Sequence, residues 1–313
     1  MTKDLPMKAT NTIIALATAS LLSGCVIAIN TAHADIHLQK ELTLNSQQLQ
    51  QLNIETGAGS LTVQGKSGIE SIQVIADIYT DSKDNYKLTL NKRGNKATLI
   101  AKIKNGSGFW QGNSPRVNVK IFVPQHLALN INDGSGDILV SNTNNSVDIK
   151  DGSGKIEVTH LNGILTINDG SGDIFVNNTN NSVDIKDGSG KIEVAHIKGD
   201  LTINDGSGDI NVKHIVGNTD IDDNSGDIEL KHIIGNVTIN DGSGNIYAKS
   251  IQGNAKITDA SGDLTVEKVT KTVTIDDGSG DINVENVGNL NIIESGSGGL
   301  HVNKVNGDFS IDS

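Results

Sequence analysis

Nine aspartates recur at an unbroken interval. Asp133, Asp151, Asp169, Asp187, Asp205, Asp223, Asp241, Asp259 and Asp277 each follow the last by 18 residues. A fixed period of this length, free of insertions, marks a repeat array in which each unit buries its apolar face only against its neighbours. Each aspartate opens a copy or close variant of "DGSGD", as in "NDGSGDI" at Asn132–Ile138. Such a motif is either a site that does chemistry or a corner that lets the chain turn. The residues favour the corner, because two glycines flanking a serine supply the positive φ of a tight bend. Residues 133–168 and 169–204 differ at only six of 36 positions, which points to duplication of two whole units.

One unit, "LTINDGSGDINVKHIVGN" (Leu201–Asn218), shows how the period is used. Leu201 and Ile203 alternate with Thr202 and Asn204, the period-two pattern of a half-buried strand. After the corner, Ile210 and Val212 alternate again, Ile215 makes a further inward position, and Gly217-Asn218 turns the chain back. The next unit fills the same five slots with Thr219, Ile221, Ile228, Leu230 and Ile233. Each unit is therefore one coil of two short strands and a shorter third side. Stacked coils form a parallel β-solenoid, an all-β single-stranded parallel β-helix. Successive strands lie ~4.8 Å apart, so about ten coils give a rod roughly 45–50 Å long. Right-handed winding is the default for parallel crossovers.

The chain divides into three parts. Residues 1–34 read as a secretory leader: Lys3 and Lys8 precede an apolar run from Thr12 to about Ile29. Two cleavage readings stand side by side. "LSGC" (Leu22–Cys25) resembles a bacterial lipobox, making Cys25 the candidate lipidation site, whereas "AHA" before Asp35 fits ordinary signal peptidase. The expected location is extracytoplasmic, as an outer-membrane lipoprotein or a periplasmic or secreted protein. No barrel-like or sortase-like segment is seen toward Ser313, so surface attachment is expected through Cys25. Residues 36–125 read as an irregular β cap plus the first coils. "LQQLNIETGAGSLTVQG" (Leu49–Gly65) is a degenerate coil, and "NKRGN" is a hairpin turn between strand-like runs. Residues 126–313 are the regular coils, and the final "GDFSIDS" is a strand whose open edge is a pairing hazard.

The segment "VNVKIFVPQHLALNINDGSGDI" (Val117–Ile138), with "IETGAGSLTV" upstream and serial "GSGDI" corners, resembles the bacterial "putative adhesin" family of secreted β-solenoids. The likeness covers residues 50–313. It implies a right-handed solenoid at the cell envelope and transfers no catalytic residues.

Composition narrows the function. The net charge of −12 argues against nucleic acid or anionic lipid as partner, since both need a basic surface. Aromatics are 3%, so apolar burial falls to Ile, Val and Leu. Parallel β-helices also host glycan-cleaving enzymes, which need a clustered acid–base set and often arginine. Here Arg93 and Arg116 both precede the repeats, the carboxylates are evenly spread, and no coil between 129 and 285 is broken. No enzyme is expected; a glycan-active β-helix is the lesser alternative.

Four sets of residues remain as candidates. The first is the aspartate row. Its carboxylates either cap their own corners by accepting Ser and Gly N–H groups or bind a divalent cation such as Ca²⁺ between coils. Corner capping is the reading for Asp133, Asp151, Asp169, Asp187, Asp205 and Asp241. The calcium-binding nonapeptide repeat places its Asp two residues after the second glycine, whereas here Asp follows immediately. The second is the next charged slot, in which Asp137, Lys155, Asp173, Lys191 and Asp209 alternate in sign. Beyond it come Asp227, Asn245, Asp263 and Asp281, where no lysine intervenes. A metal is therefore expected, if anywhere, at Asp223, Asp227, Asp259, Asp263, Asp277 and Asp281. The third is His196, His214 and His232, one slot in three successive coils, with His160 two coils earlier; an exposed ladder or a zinc site would suit them. The fourth is the outer surface: partial Thr-x-Asn rows of the kind that bind ice, interrupted by "VDIKD" coils, and a sparse row containing Leu139, Phe175 and Tyr247. Trp110 is either a contact tip or a packed cap residue. The expected role is non-enzymatic, a rod presenting a repetitive acidic face to a glycan or protein through many weak contacts. A cation-binding solenoid with a structural or stress-related envelope role is the main alternative.

Overall fold

A computed structural model of the chain describes residues 34–105 and 114–312. The leader with Cys25, and the segment with Trp110, lie outside the described residues. Every regular element among those described is a β-strand.

The N-terminal part contains β1 (Ile36–Asn45), β2 (Gln51–Thr56), β3 (Leu61–Lys66), β4 (Ser71–Thr80), β5 (Tyr86–Arg93), β6 (Lys96–Ile103) and β7 (Arg116–Pro124). From β8 (Ala128–Asn132) and β9 (Ile138–Thr143) onward, two strands form each coil. Even-numbered strands run from β10 (Val147–Asp151) to β22 (Ala255–Asp259), and odd-numbered ones from β11 (Ile156–Leu161) to β21 (Ile246–Ile251). Each strand pairs in parallel with its equivalents one coil away, in the register of the period: Leu201 with Thr219, Ile203 with Ile221, Ile210 with Ile228. A one-residue slip would turn every inward side chain outward, so the alternation itself holds the register.

The inward slots are filled as the alternation requires. Leu201, Ile203, Ile210, Val212 and Ile215 are buried, as are their equivalents from Leu129 to Ile292. A fully buried Ile or Leu contributes about 2 kcal/mol. One irregularity makes the three-residue step from Val212 to Ile215 possible. His214 has a φ of 59°, and the equivalent residue of each regular coil is also left-handed, from Asn142 at 58° to Lys304 at 62°. This one left-handed residue sends two successive side chains, Lys213 and His214, outward and lets Ile215 return to the core.

The start of the rod is not threaded in sequence order. β2 and β3 form a coil that lies directly beneath β8 and β9. On its other side it is covered by β6 and β7, which come later in the chain. Beyond them both rows end on antiparallel strands: β5 on β6, and β4 then β1 on β7. Leu38, Leu42 and Leu44 of β1, with Leu88 and Leu90 of β5, pack onto the end of the core. At the far end β23 (Leu264–Asp277) and β24 (Ile282–Glu294) run through the usual turn without a break. The register shifts by one residue between Val269 and Thr272 and shifts back after Ile275. β25 (Leu300–Val305) and β26 (Phe309–Ile311) pair with β24 and leave Leu300, Phe309 and Ile311 exposed.

The corner is tightest at its second glycine. Gly208 has a φ of 139°, and a Cβ there would overlap the carbonyl oxygen of Gly190 one coil below. The first glycine of the motif is less constrained: Asn224 and Ala260 replace it in two coils, while the second is glycine throughout. Gly208→Ala is expected to cost about 2–4 kcal/mol, and Gly206→Ala clearly less, in urea unfolding followed by circular dichroism. Equal costs would show that the backbone conformation at the second glycine is not what limits the corner.

Candidate functional site

The structure separates the two aspartates of each motif. The first points inward. All nine, from Asp133 to Asp277, are between 1% and 9% exposed, so every coil carries a carboxyl inside the rod beside its five apolar slots. The corner itself explains half of this placement. Asp205 Oδ1 accepts the backbone N–H of Ser207 at 3.3 Å, and Asp169, Asp187, Asp223, Asp241 and Asp259 do the same for their own serines at 3.0–3.4 Å. Asp151 Oδ1 accepts from Gly152 N–H at 2.7 Å. Corner capping thus describes one oxygen of these seven. The other oxygen, Oδ2, is buried without a partner in all nine, and Asp133 and Asp277 have neither oxygen bonded.

Burial pushes every carboxyl in this row upward. For Asp151, Asp187, Asp223 and Asp259, every second coil, burial and the neighbouring aspartates together outweigh the corner N–H groups. Asp151, Asp223 and Asp259 are pushed up to about 7 and Asp187 to about 6.

The second aspartate points outward and acts between coils. Asp137 Oδ1 accepts the backbone N–H of Lys155, the same slot one coil on, at 3.2 Å. Asp173, Asp209, Asp227, Asp263 and Asp281 repeat the contact at 2.7–3.3 Å. Asn245 takes the place of an aspartate and does so through its amide oxygen at 3.1 Å. Alternating lysines were expected to relieve this row. Lys155 and Lys191 ion-pair with Glu157 and Glu193 on the strand while also attracting Asp137, Asp173 and Asp209, and a backbone N–H of the next coil serves each aspartate of the row in both halves. That explains why the half without lysines, from Asp227 to Asp281, stacks as well. A parallel row at the Gly-Asn turn works alike: Asp200, Asn218 and Asn236 each accept the N–H of the next coil at 2.8–3.0 Å.

The expected cation residues therefore fall into two places. Asp223, Asp259 and Asp277 are inside, while Asp227, Asp263 and Asp281 are exposed on the corner. Among the described residues no three His, Cys, Asp or Glu side chains are grouped so as to hold a metal ion. The histidines do stack: His196, His214 and His232 lie with ring centroids 4.9 Å apart and rings nearly parallel. Their slot is the left-handed one, shared with Asn142, Asn178, Ser250 and Lys268. Asn and His enter that conformation more readily than most residues, which accounts for the composition of the row. Partial burial, then the flanking His232 and His196, hold the His214 imidazole below its ordinary range.

The left-handed kink has a second consequence. It splays the residues on either side of it, and the third side of the rod becomes a groove running along the axis. One stretch, about 640 Å³, is lined by Gln125, Asn144, His160, Asn162, Asn180, His196 and His214, among others. The next, about 430 Å³, shares His214 and Val216 with it and continues past His232 and Ile234 to Lys268 and Thr270. Asn162 donates to Asn144 Oδ1 at 2.6 Å, and Asn180 donates in turn to Asn162. Val216 and Ile234 are half exposed on the wall, unusual for residues of their size. At ~4.8 Å per coil the groove extends roughly 35 Å. The histidines were visible in the sequence, but the groove was not, because it depends on a backbone conformation that His and Asn only hint at.

The profile of one family, Toastrack DUF4097, matches residues 50–233, more than half of the chain. The chain belongs to the Toastrack DUF4097 family. A search of curated proteins found no match. Among solved structures, this Toastrack chain is similar to a "putative adhesin" from Parabacteroides merdae (13% identity, 90% of this chain and 98% of that one, TM-score 0.37). It is similar also to a "putative cell adhesion protein" from Clostridium sporogenes (12%, 86% and 99%, 0.32). A third is a "putative lipid binding protein" from Parabacteroides distasonis (16%, 89% and 98%, 0.36).

Elsewhere on the Toastrack rod the outer aromatics are partly covered. Lys155 lies 4.6 Å from the centre of the Phe175 ring, and Lys231 and Lys249 lie 5.3 and 5.6 Å from that of Tyr247. The Thr-x-Asn face is interrupted by Lys186 of a "VDIKD" coil, as the sequence indicated, and also by Asp220, Asp222 and Lys256. The coil-to-coil contact of the second aspartate gives a direct test. Asp263→Asn keeps the acceptor, as Asn245 does, and should leave the melting temperature unchanged. Asp263→Ala removes it and should lower the melting temperature measurably. If both variants melt like the parent, the outer row does not tie the coils together.

Proposed function

We propose that this protein is a non-enzymatic, adhesin-like rod of the cell envelope that holds an extended surface polymer along the groove on its third side. The groove carries the reading. It runs across about eight coils at ~4.8 Å per step, with Asn amides and His rings along its first stretch and His214, His232, Val216 and Ile234 followed by Ser250, Gln252, Lys268 and Thr270 along the next. A linear glycan suits such a lining, because its hydroxyls take amide and imidazole hydrogen bonds while its ring faces pack on apolar side chains. Contacts that are individually weak add along a rigid ladder, since after the first is made the others are intramolecular. The names of two similar solved structures, a "putative adhesin" and a "putative cell adhesion protein", are in keeping with an adhesive role.

The groove is a better contact surface than an acidic face. The most regular aspartate row is inside the rod, and the outer row spends one oxygen of each carboxylate on the next coil. The leader, read as secretory with Cys25 as a candidate lipid attachment, places the rod outside the cytoplasm in this proposal.

The test is a glycan array followed by titration with oligosaccharides of increasing length. Binding should strengthen with chain length until the ligand spans the groove. A Asn180→Ala/His214→Ala/Val216→Asp variant that melts like the parent should bind at least about tenfold more weakly. Groove variants that bind as the parent does, or a parent that binds no glycan, would defeat the proposal.

A further inference from the structure

The nine inward carboxyls pose a problem that the corner solves only in part. A buried carboxylate with an unbonded oxygen is costly, and the cost rises when the nearest polar neighbour is another carboxylate. In this rod that neighbour is fixed by the register. Asp187 pairs with Asp205, Asp205 with Asp223, Asp223 with Asp241, and Asp241 with Asp259 as direct partners on adjacent coils. Each has Oδ1 turned to its own corner and Oδ2 unpartnered and shielded from solvent. Among the described residues no Lys, Arg or His forms an ion pair with an aspartate of this row. Lys102 bears on Asp133 at one end. Otherwise the charged groups that face the row are themselves acidic: the neighbouring aspartates throughout, Asp227 near Asp241, and Asp263, Asp276 and Glu294 near Asp277.

We propose that the aspartate row is a proton-binding ladder, in which a carboxylic acid in one coil donates its Oδ2 hydrogen to the carboxylate of the next. A proton satisfies each demand at once. It removes one of two adjacent charges, it gives the orphaned oxygens a donor and an acceptor, and it needs no more space than a hydrogen bond between coils. Two carboxyls that share a site behave this way elsewhere, because both cannot ionise together. The row then titrates as a coupled set rather than as nine separate groups. Burial raises every carboxyl of the row, the direction that favours the protonated form, and this fits a shared occupancy.

The sign of the linkage follows. These carboxyls hold protons in the folded rod at a pH where the unfolded chain, with carboxyls near the ordinary value of 3.8, has released them. The stability they contribute is complete in acid and is lost as pH rises through the folded values of about 6 to about 7. Most proteins held by paired carboxylates lose stability in the opposite direction.

The experiment is thermal unfolding of the purified chain by circular dichroism from about pH 5 to about pH 8.5, for the parent and for an Asp205→Asn/Asp223→Asn variant. The parent's melting temperature should fall across that range by at least about 5 °C. The variant, whose amides need no proton, should fall less and melt above the parent at the alkaline end. If the variant does not fold, calorimetry of the parent alone decides. Near pH 6.5, unfolding should release protons, seen as a dependence of the apparent enthalpy on the ionisation heat of the buffer. A melting temperature that stays flat or rises with pH overturns the proposal. So does an unchanged slope in the variant, or an absence of proton release. Recovery of the alkaline melting temperature by millimolar calcium, reversed by chelator, would also overturn it and make the row a cation site.

Discussion

The whole structure rests on in-register stacking of identical slots at the spacing of β-strands. Parallel pairing brings each residue within ~4.8 Å of its equivalent in the coils above and below. Any property of a slot is therefore met by the same property twice over. For Ile, Val and Leu this is an advantage, because like side chains pack into continuous ladders. For charged or conformationally demanding residues the same repetition multiplies the cost, and much of the detail in this rod consists of ways of meeting it.

Three slots show three such ways. The outer aspartates add cohesion by accepting a backbone N–H from the next coil, so the carboxylates from Asp227 to Asp281, where no lysine intervenes, still have a partner. The left-handed slot takes Asn and His, whose side chains tolerate that conformation, and lets the rings stack on one another. Seven of the nine inner aspartates have the corner for one oxygen, and all nine have nothing but each other for the second. Outside, solvent screens the charges and the backbone satisfies the oxygens. Inside, neither is available in full, and the protonation state becomes the variable that adjusts.

How much could be read from the sequence follows the same division. The period, the five apolar slots and the parallel coil were legible because alternation at fixed spacing has one physical meaning. The capping of the corner by Asp205 and its equivalents was legible for the same reason. Their burial was not, since aspartate is rarely buried, and Asp205, two residues after Ile203, continues the alternation without announcing it. The early coils were visible as strands, but their order was not. Nothing local in β6 and β7 says that they pack outside β2 and β3, because pairing between irregular strands is decided by contacts distant in sequence. The groove was missed because it is made by the backbone at His214 and its equivalents rather than by any motif.

Regularity also bears on how such a rod can change. A duplication such as that of residues 133–168 adds two complete coils, and each coil brings its own copy of every solution: a corner, an outer contact, a left-handed residue and a stretch of groove. Nothing already present must be rebuilt, because each coil touches only its neighbours. The groove lengthens by two steps, and with it the number of weak contacts available to an extended ligand. The inner row lengthens too, and each added coil brings one more buried carboxyl whose unbonded oxygen has only the neighbouring coils to meet it, a demand that an apolar ladder would not make.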